Sequence, residues 1–502
     1  MVCRVSRPGP SFLAPDRWES SVSHLLRDGV RRRWHAEAGY REILKLAVPL
    51  IISTSAWSVQ HFVDRMFLAW YSPQAVAAAM PGGMASFAVL SLFIGTAGYV
   101  GTFVAQYHGA DRPEEIGPVV WQGIYLSAAA ACLHLALVPL AGPFFRLVGH
   151  EPEVRDMEIA YFQILCLGAG PAVAGNAISG FFAGRGKTWT VMMVNVLVTA
   201  VNLVLDYLLI FGRLGFPEMG IRGAALATII ATAVGLCVSA YLLMLPEHAR
   251  RFGTRSGRRF RPALFRRLIR FGFPSGVQFF IDSAGFTAFI LLVGRLGVTE
   301  LAASNIAMNV NTLAFMPMIG IGMAVSILTG QHLGADRPDV AERGAWSGFH
   351  LTLAYMTGIA TAYILLPGVF LAPYAARMSA ADVALLRPTV VILLRFVALY
   401  SLFDGLNIIF ASVIKGAGDT RFVMQMILMV SLGVLVVPSY VALQVLGRGL
   451  YTLWAFLAAY VIVLGLVFLM RFLGGRWKSM RVIEPPVAAV PPAVPDAPTR
   501  QV

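Results

Sequence analysis

Long apolar stretches alternate with short polar ones along the whole chain. Twelve apolar spans can be read. They lie at about 43–70, 79–105, 117–143, 158–183, 190–212 and 222–245 in the first half, and at about 271–295, 302–329, 346–372, 386–414, 421–446 and 450–473 in the second. Each can supply the roughly 20 residues that an α-helix needs to cross about 30 Å of hydrocarbon. Pro49, Pro171, Pro274 and Pro317 fall inside spans, which membrane helices tolerate because neighbouring groups satisfy the freed backbone. Gly95, Gly98 and Gly101 offer a small-residue surface for close helix approach. The polar stretches divide the chain into a basic arm (1–42), a six-span unit (43–245), an Arg-rich linker (246–270), a second six-span unit (271–473) and a polar, then Pro/Ala-rich tail (474–502). The tail reads as disordered. Within the arm, 16–33 has the composition of either an amphipathic interfacial helix or a disordered basic segment.

Composition narrows the class. Apolar residues make up 57% of the chain and charged residues 13%, against roughly 25% charged in a soluble domain. This excludes a soluble enzyme, a nucleic-acid-binding protein and a disordered chain. Three of the four cysteines (Cys132, Cys166 and Cys237, with Cys3 the exception) lie in apolar segments and read as packing thiols. The net charge of +14 is explained by sidedness. Of the 40 Lys and Arg, 30 fall on one side of the spans, nine of them in the linker, and 8 on the other. The positive-inside rule then predicts both termini in the cytoplasm of a multi-pass bacterial inner-membrane protein.

The chain also repeats. Gln106-Tyr-His-Gly-Ala-Asp-Arg-Pro113 returns as Gln331-His-Leu-Gly-Ala-Asp-Arg-Pro338, and Pro49 returns as Pro274 at the same offset. Gly186-Lys-Thr188 parallels Gly418-Asp-Thr420. Six spans bring the chain back to its starting side, so the halves are parallel repeats, with substrate sites expected near the midplane at or between them. The GADRP segments read as tight inward turns. Gly184-Arg-Gly-Lys-Thr188 lacks the strand and spacing of a P-loop.

Four acids lie well inside spans: Asp64, Asp206, Asp282 and Asp404. A carboxylate in hydrocarbon must face a bundle interior, bind an ion, carry a proton or bond another helix. Asp64, Asp206 and Thr228 each sit about six residues from the outer end of a span, roughly 9 Å down at 1.5 Å per residue. Asn202 precedes Asp206 by one turn. Two carboxylates, an amide, a hydroxyl and a backbone carbonyl make an oxygen-rich site for a hard cation such as Na⁺, or for a shared proton. Asp282 with Gln278, and Asp404 with Tyr400, form a second, deeper acid pair. Arg65 follows Asp64 and either snorkels outward or tempers its charge. His61, His134 and His350 read as core histidines. There is no HExxH, no clustered His and no Ser/His/Asp set, so an enzyme is not expected.

Taken in order, several segments resemble the multidrug and toxic compound extrusion family, in its NorM/DinF-like bacterial branch, over about residues 40–475. They are Phe62-Val-Asp-Arg-Met-Phe67, the two Gln-x-x-Gly-Ala loops, Asn202-Leu-Val-Leu-Asp206, Gly223-Ala-Ala-Leu-Ala-Thr228, Pro274 to Asp282, and Lys415-Gly-Ala-Gly-Asp-Thr420. The resemblance implies an all-α membrane fold of two six-helix bundles in a V. It also implies export of amphiphilic, often cationic, compounds against Na⁺ or H⁺, with no further cofactor. It maps the family's N-lobe cation site onto Asp64, Asn202, Asp206, Ala224 and Thr228. Asp282 takes the place of a usual Glu, and Tyr400 and Asp404 match C-lobe positions. Arg65, the shorter acid at 282 and the long basic arm depart from the pattern. The expected partners are a small amphiphile and the bilayer, not nucleic acid, and the expected state is a monomer. The competing reading is a lipid-linked oligosaccharide flippase of the same superfamily, which tends to carry basic residues in its central cavity.

Overall fold

A computed structural model describes residues 31–375 and 378–485, and the described chain is helical without any strand. The twelve spans are α1 (Tyr40–Tyr71), α2 (Pro73–Gly109), α3 (Pro113–Leu137), α4 (Pro152–Leu167 with Ala169–Gly184), α5 (Thr188–Phe211), α6 (Ile221–Leu243), α7 (Pro262–Gly294), α8 (Val298–Gly334), α9 (Pro338–Leu365), α10 (Ala381–Ala417), α11 (Thr420–Gln444) and α12 (Leu450–Leu473). Among the described residues eleven are single helices long and apolar enough to cross a membrane, while α4 spans as two helices meeting at 44°. Its break has a local cause. Pro171 has no N–H to offer Leu167, and its ring crowds that carbonyl; Gly168 occupies the corner. In α11 a π-helical segment, Ser431–Val436, interrupts the regular winding.

The two six-helix lobes are built alike. In the first, α1 packs on α5, α5 on α6, and α2 and α3 on α4; in the second, α7 packs on α11 and α10 gathers α8, α9 and α12. The lobes meet through two equivalent pairs, α1 on α8 and α7 on α2. The Gln-x-x-Gly contacts lie at the end that carries the linker and the GADRP turns (the basic side), and α2 and α7 stay in contact as far along as Phe87 and Phe279. At the basic side the first helix of each repeat is lent to the other lobe. Ile43, Leu46, Ala47 and Leu50 of α1 join the buried core of the second lobe, and Leu264 and Leu268 of α7 join that of the first. Beyond this end, each helix has an interior proline, Pro49 or Pro274, which removes a backbone hydrogen bond and permits a bend.

The repeated Gln-x-x-Gly segments form the contact itself. A Cβ on Gly109 would collide with the Gln331 carbonyl, and one on Gly334 with the Gln106 carbonyl. Gln106 Nε2 donates to the Gly416 carbonyl at 3.0 Å, and Gln331 Nε2 donates to the Gly184 carbonyl at 2.8 Å. The turns that follow place Asp111 and Asp336 at φ +51° and +56°, a left-handed conformation that Asp tolerates better than most residues. Tyr99 Oη adds a bond to the Lys415 carbonyl at 2.7 Å. Outside the membrane, Arg337 pairs with Glu37 and holds that carboxyl below its ordinary range.

Four expectations change. The linker gives way to helix at Pro262, because α7 runs past the hydrocarbon and carries Arg266, Arg267 and Arg270 on a protruding turn. Residues 474–485 are not a disordered tail. They form a 3₁₀ turn (Arg476–Ser479) and a packed segment in which Trp477, Val482 and Ile483 are buried. Cys132 and Cys237 are exposed on the outer surface of their spans, and only Cys166 of the three is buried. His61 is exposed and His350 half-exposed, His350 bonding Tyr40 and Arg33, whereas His134 is buried against the Ala130 carbonyl. The arm reading over 16–33 falls mostly outside the described residues, as does 486–502.

Overpacking the glycine contact costs about 1–3 kcal/mol or more. Gly334→Val is therefore expected to lower the melting temperature of the detergent-solubilised protein. Gly358→Ala, with no atom within 4 Å of the new Cβ, is expected to leave it unchanged or raise it. Thermal unfolding of the two variants beside the parent checks both signs.

Candidate functional site

In the first lobe α1, α5 and α6 converge. Asp64 on α1 and Asp206 on α5 lie within two turns of the helix ends opposite the basic side. Their side chains face each other within hydrogen-bonding reach. Asp206 is fully buried, Asn202 likewise, and Asp64 is 8% exposed. Asn202 Nδ2 approaches Thr228 Oγ1 at 3.5 Å, and the Thr228 hydroxyl donates to the Ala224 carbonyl at 3.1 Å. The four-residue spacing of Asn202 from Asp206, and of Ala224 from Thr228, puts each pair on one helix face. All five positions read from the sequence are thus gathered in one place.

The polar atoms there are under-satisfied. Asp64 Oδ1, both Asp206 carboxyl oxygens and Asn202 Oδ1 are buried without a hydrogen-bond partner. Two carboxylates cannot face each other in a low dielectric with both charged unless a proton or cation lies between them. Their donor set is all oxygen, which suits a hard monovalent cation as well as a proton. Tyr161 of α4, packed on Gly82, lies close to both acids; nothing in the spacing of the sequence marked it. Arg65 is exposed and in no ion pair among the described residues, yet it lies near enough to Asp64 to act on its charge.

The second-lobe acids are arranged differently. Asp282 on α7 accepts from Gln278 Nε2 at 3.3 Å, with Tyr460 of α12 within bonding reach and Lys415 of α10 nearby. Asp404 on α10 accepts from Asn407 Nδ2 at 3.1 Å. The two acids lie close enough to feel each other's charge, but each has its own amide partner. Tyr400 is buried one turn from Asp404. Asn407 could have been found from its i+3 spacing. Tyr460 comes from a helix that the sequence alone does not bring to Asp282, and Lys415 lies about three turns along α10 from Asp404, too far in sequence to be read as its companion.

Two matched six-helix lobes, each with acids set where lipid would exclude them, define a two-lobed membrane transporter. The chain belongs to the MatE family, whose model matches residues 49–208 and 274–441, one stretch in each lobe. It is 25% identical over 448 residues to a probable multidrug resistance protein NorM of Thermotoga maritima, covering 88% of this chain and 94% of that one. It is 29% identical over 385 residues to a probable NorM of Pseudomonas putida, covering 76% and 82%. Among solved structures, a multidrug resistance MATE family transporter in an outward-facing conformation superposes with a TM-score of 0.80 at 20% identity, over 90% of this chain and 99% of that one. A MOP superfamily transporter from Pyrococcus furiosus gives the same values.

Removing one carboxylate of the facing pair is expected to weaken cation or proton binding at least tenfold, the factor that about 1.4 kcal/mol represents. Asp206→Asn should show this loss in Na⁺ binding or in proton release from the purified protein, and Arg65→Gln should stay within about threefold of the parent. Equal binding by Asp206→Asn would remove the pair from the site.

Proposed function

We propose that the chain is a secondary antiporter that exports amphiphilic, often cationic, small molecules in exchange for inward H⁺ or Na⁺. It works by alternating access of the two lobes in the bacterial inner membrane. The observation that carries this reading is the facing pair Asp64 and Asp206, buried with unpartnered oxygens and able to hold one positive charge at a time. A site that takes up a proton or cation when open to one side, and gives it up on the other, is what exchange requires. The second-lobe group of Asp282, Gln278, Tyr400 and Asp404 is proposed as the part that meets the substrate or a second cation, its net negative charge suiting a cationic guest. The names of the NorM relatives support drug-like substrates.

The basic side is proposed to face the cytoplasm, with both termini inside, on the 30 to 8 division of Lys and Arg. Both lobes and both acid groups belong to one chain, which supports a monomer as the working unit. Transport, not catalysis, is the proposed activity, and the coupling ion is the only cofactor it calls for. The flippase reading calls for a basic central cavity, whereas the charged side chains gathered in the second lobe are two acids and Lys415.

Purified protein in proteoliposomes is expected to move a cationic dye uphill under an imposed H⁺ or Na⁺ gradient. The two gradients, applied separately, identify the ion. Asp64→Asn and Asp206→Asn should each reduce uphill transport at least about tenfold, equivalent to about 1.4 kcal/mol. Normal gradient-driven transport in all four Asp→Asn variants would overturn the coupling role. Absence of dye transport, together with accumulation of a lipid-linked sugar in a deletion strain, would favour the flippase.

A further inference from the structure

Past α12 the chain does not leave the molecule. Gly474 and Gly475 turn it, and Trp477 stacks on Phe472 with ring centroids 5.2 Å apart and planes 12° apart. The indole N–H donates to the Phe472 carbonyl at 2.9 Å. Lys478 pairs with Glu342 at 2.6 Å and Arg481 with Asp336 at 2.9 Å. All of these partners belong to the second lobe. The next three residues cross to the first. The Val482 N–H donates to Gln106 Oε1 at 2.8 Å. Val482 and Ile483 enter the core that holds Tyr99, Phe103 and Tyr107. Glu484 accepts from Tyr107 Oη at 2.8 Å, pairs with Arg267 and lies 3.9 Å from Arg112, while its carbonyl takes a bond from Arg112 at 3.1 Å.

Gln106 thus uses both ends of its amide across the lobe boundary, one on α10 and the other on this segment. Arg267 stands on the part of α7 that is lent to the first lobe, so Glu484 ties the segment to that exchanged helix as well. The segment is covalently part of the second lobe and is held by side chains of the first. The lobes separate on the basic side only if the segment leaves either its exposed second-lobe pairs or the buried first-lobe contacts that begin at Val482.

We propose that residues 480–485 are a latch across the mouth on the basic side, and that Glu484 is a positioning residue whose contacts with Tyr107, Arg112 and Arg267 must break each time the transporter opens to that side. This rests on the alternating-access reading above, though not on the identity of substrate or ion. Weakening the latch shifts the population toward the state open on the basic side without touching either acid group.

The test uses the full chain with native cysteines replaced and spin labels at Glu114 and Asp339, repeat-related exposed positions on the two lobes. Pulsed dipolar distances then report separation on the basic side. Glu484→Gln is expected to raise the separated fraction at least about fivefold, the low end of common coupling effects. Arg267→Gln should do the same, and the double variant should do little more than either single one. Hydrogen exchange of the unsubstituted 480–485 segment provides a readout that needs no variant there. Its amides should lose protection when turnover populates the separated state. Lobes that separate while 480–485 stays protected would overturn the latch alone. So would a Glu484→Gln distance distribution identical to the parent's. A single lobe distance under every condition, turnover included, would overturn both the latch and the alternating-access reading.

Discussion

The architecture depends on two helices passing backbone against backbone, where each Gln-x-x-Gly segment sets its glycine on the other's glutamine carbonyl. Apolar burial does little to hold membrane helices together, since lipid tails are as apolar as side chains. Close packing and hydrogen bonds must do so instead. Glycine supplies the approach and the glutamine amide supplies the bond. Because α2 and α8 are fixed at that point, the first helix of each repeat can cross into the other core.

The two acid groups show how similar residues acquire different chemistry. Asp64 and Asp206 face each other with little else to bond, and their mutual repulsion suits the pair to the proposed uptake of one positive charge. Asp282 and Asp404 are each held by an amide from their own helix, and Lys415 lies near the first of them. The first lobe therefore concentrates its electrostatic cost in one facing pair, while the second spreads it over a network. The repeat is structural, and the chemistry built on it is not symmetric.

The number of helices, the two repeats and the membrane setting were legible because each is a property of local pattern: apolar run length, sidedness of Arg and a repeated motif. The acids were legible as misfits in hydrocarbon. What could not be read was which patterned segments touch. Gln106 and Gln331 were visible as a repeat and placed in loops, since likeness between two segments carries no sign that each rests on the other. The start of α7 was missed because Arg266 to Arg270 look like loop, although a helix need not stop where the hydrocarbon does. The closing segment was taken for tail because its polar residues outnumber Trp477, Val482 and Ile483, the three that bury it. Tyr161, Tyr460 and Lys415 reach the acids from other helices, and only tertiary packing brings them there.

The crossed glutamines and glycines are self-complementary: what one half presents, the other presents back. That is the geometry of a two-fold axis in an isologous dimer. A six-helix chain carrying a single Gln-x-x-Gly would meet a second copy of itself through this same contact. In this molecule the two copies are joined by an arginine-rich connector, which frees each to diverge: one lobe keeps a bare carboxylate pair, and the other clothes its acids and extends an arm over the seam.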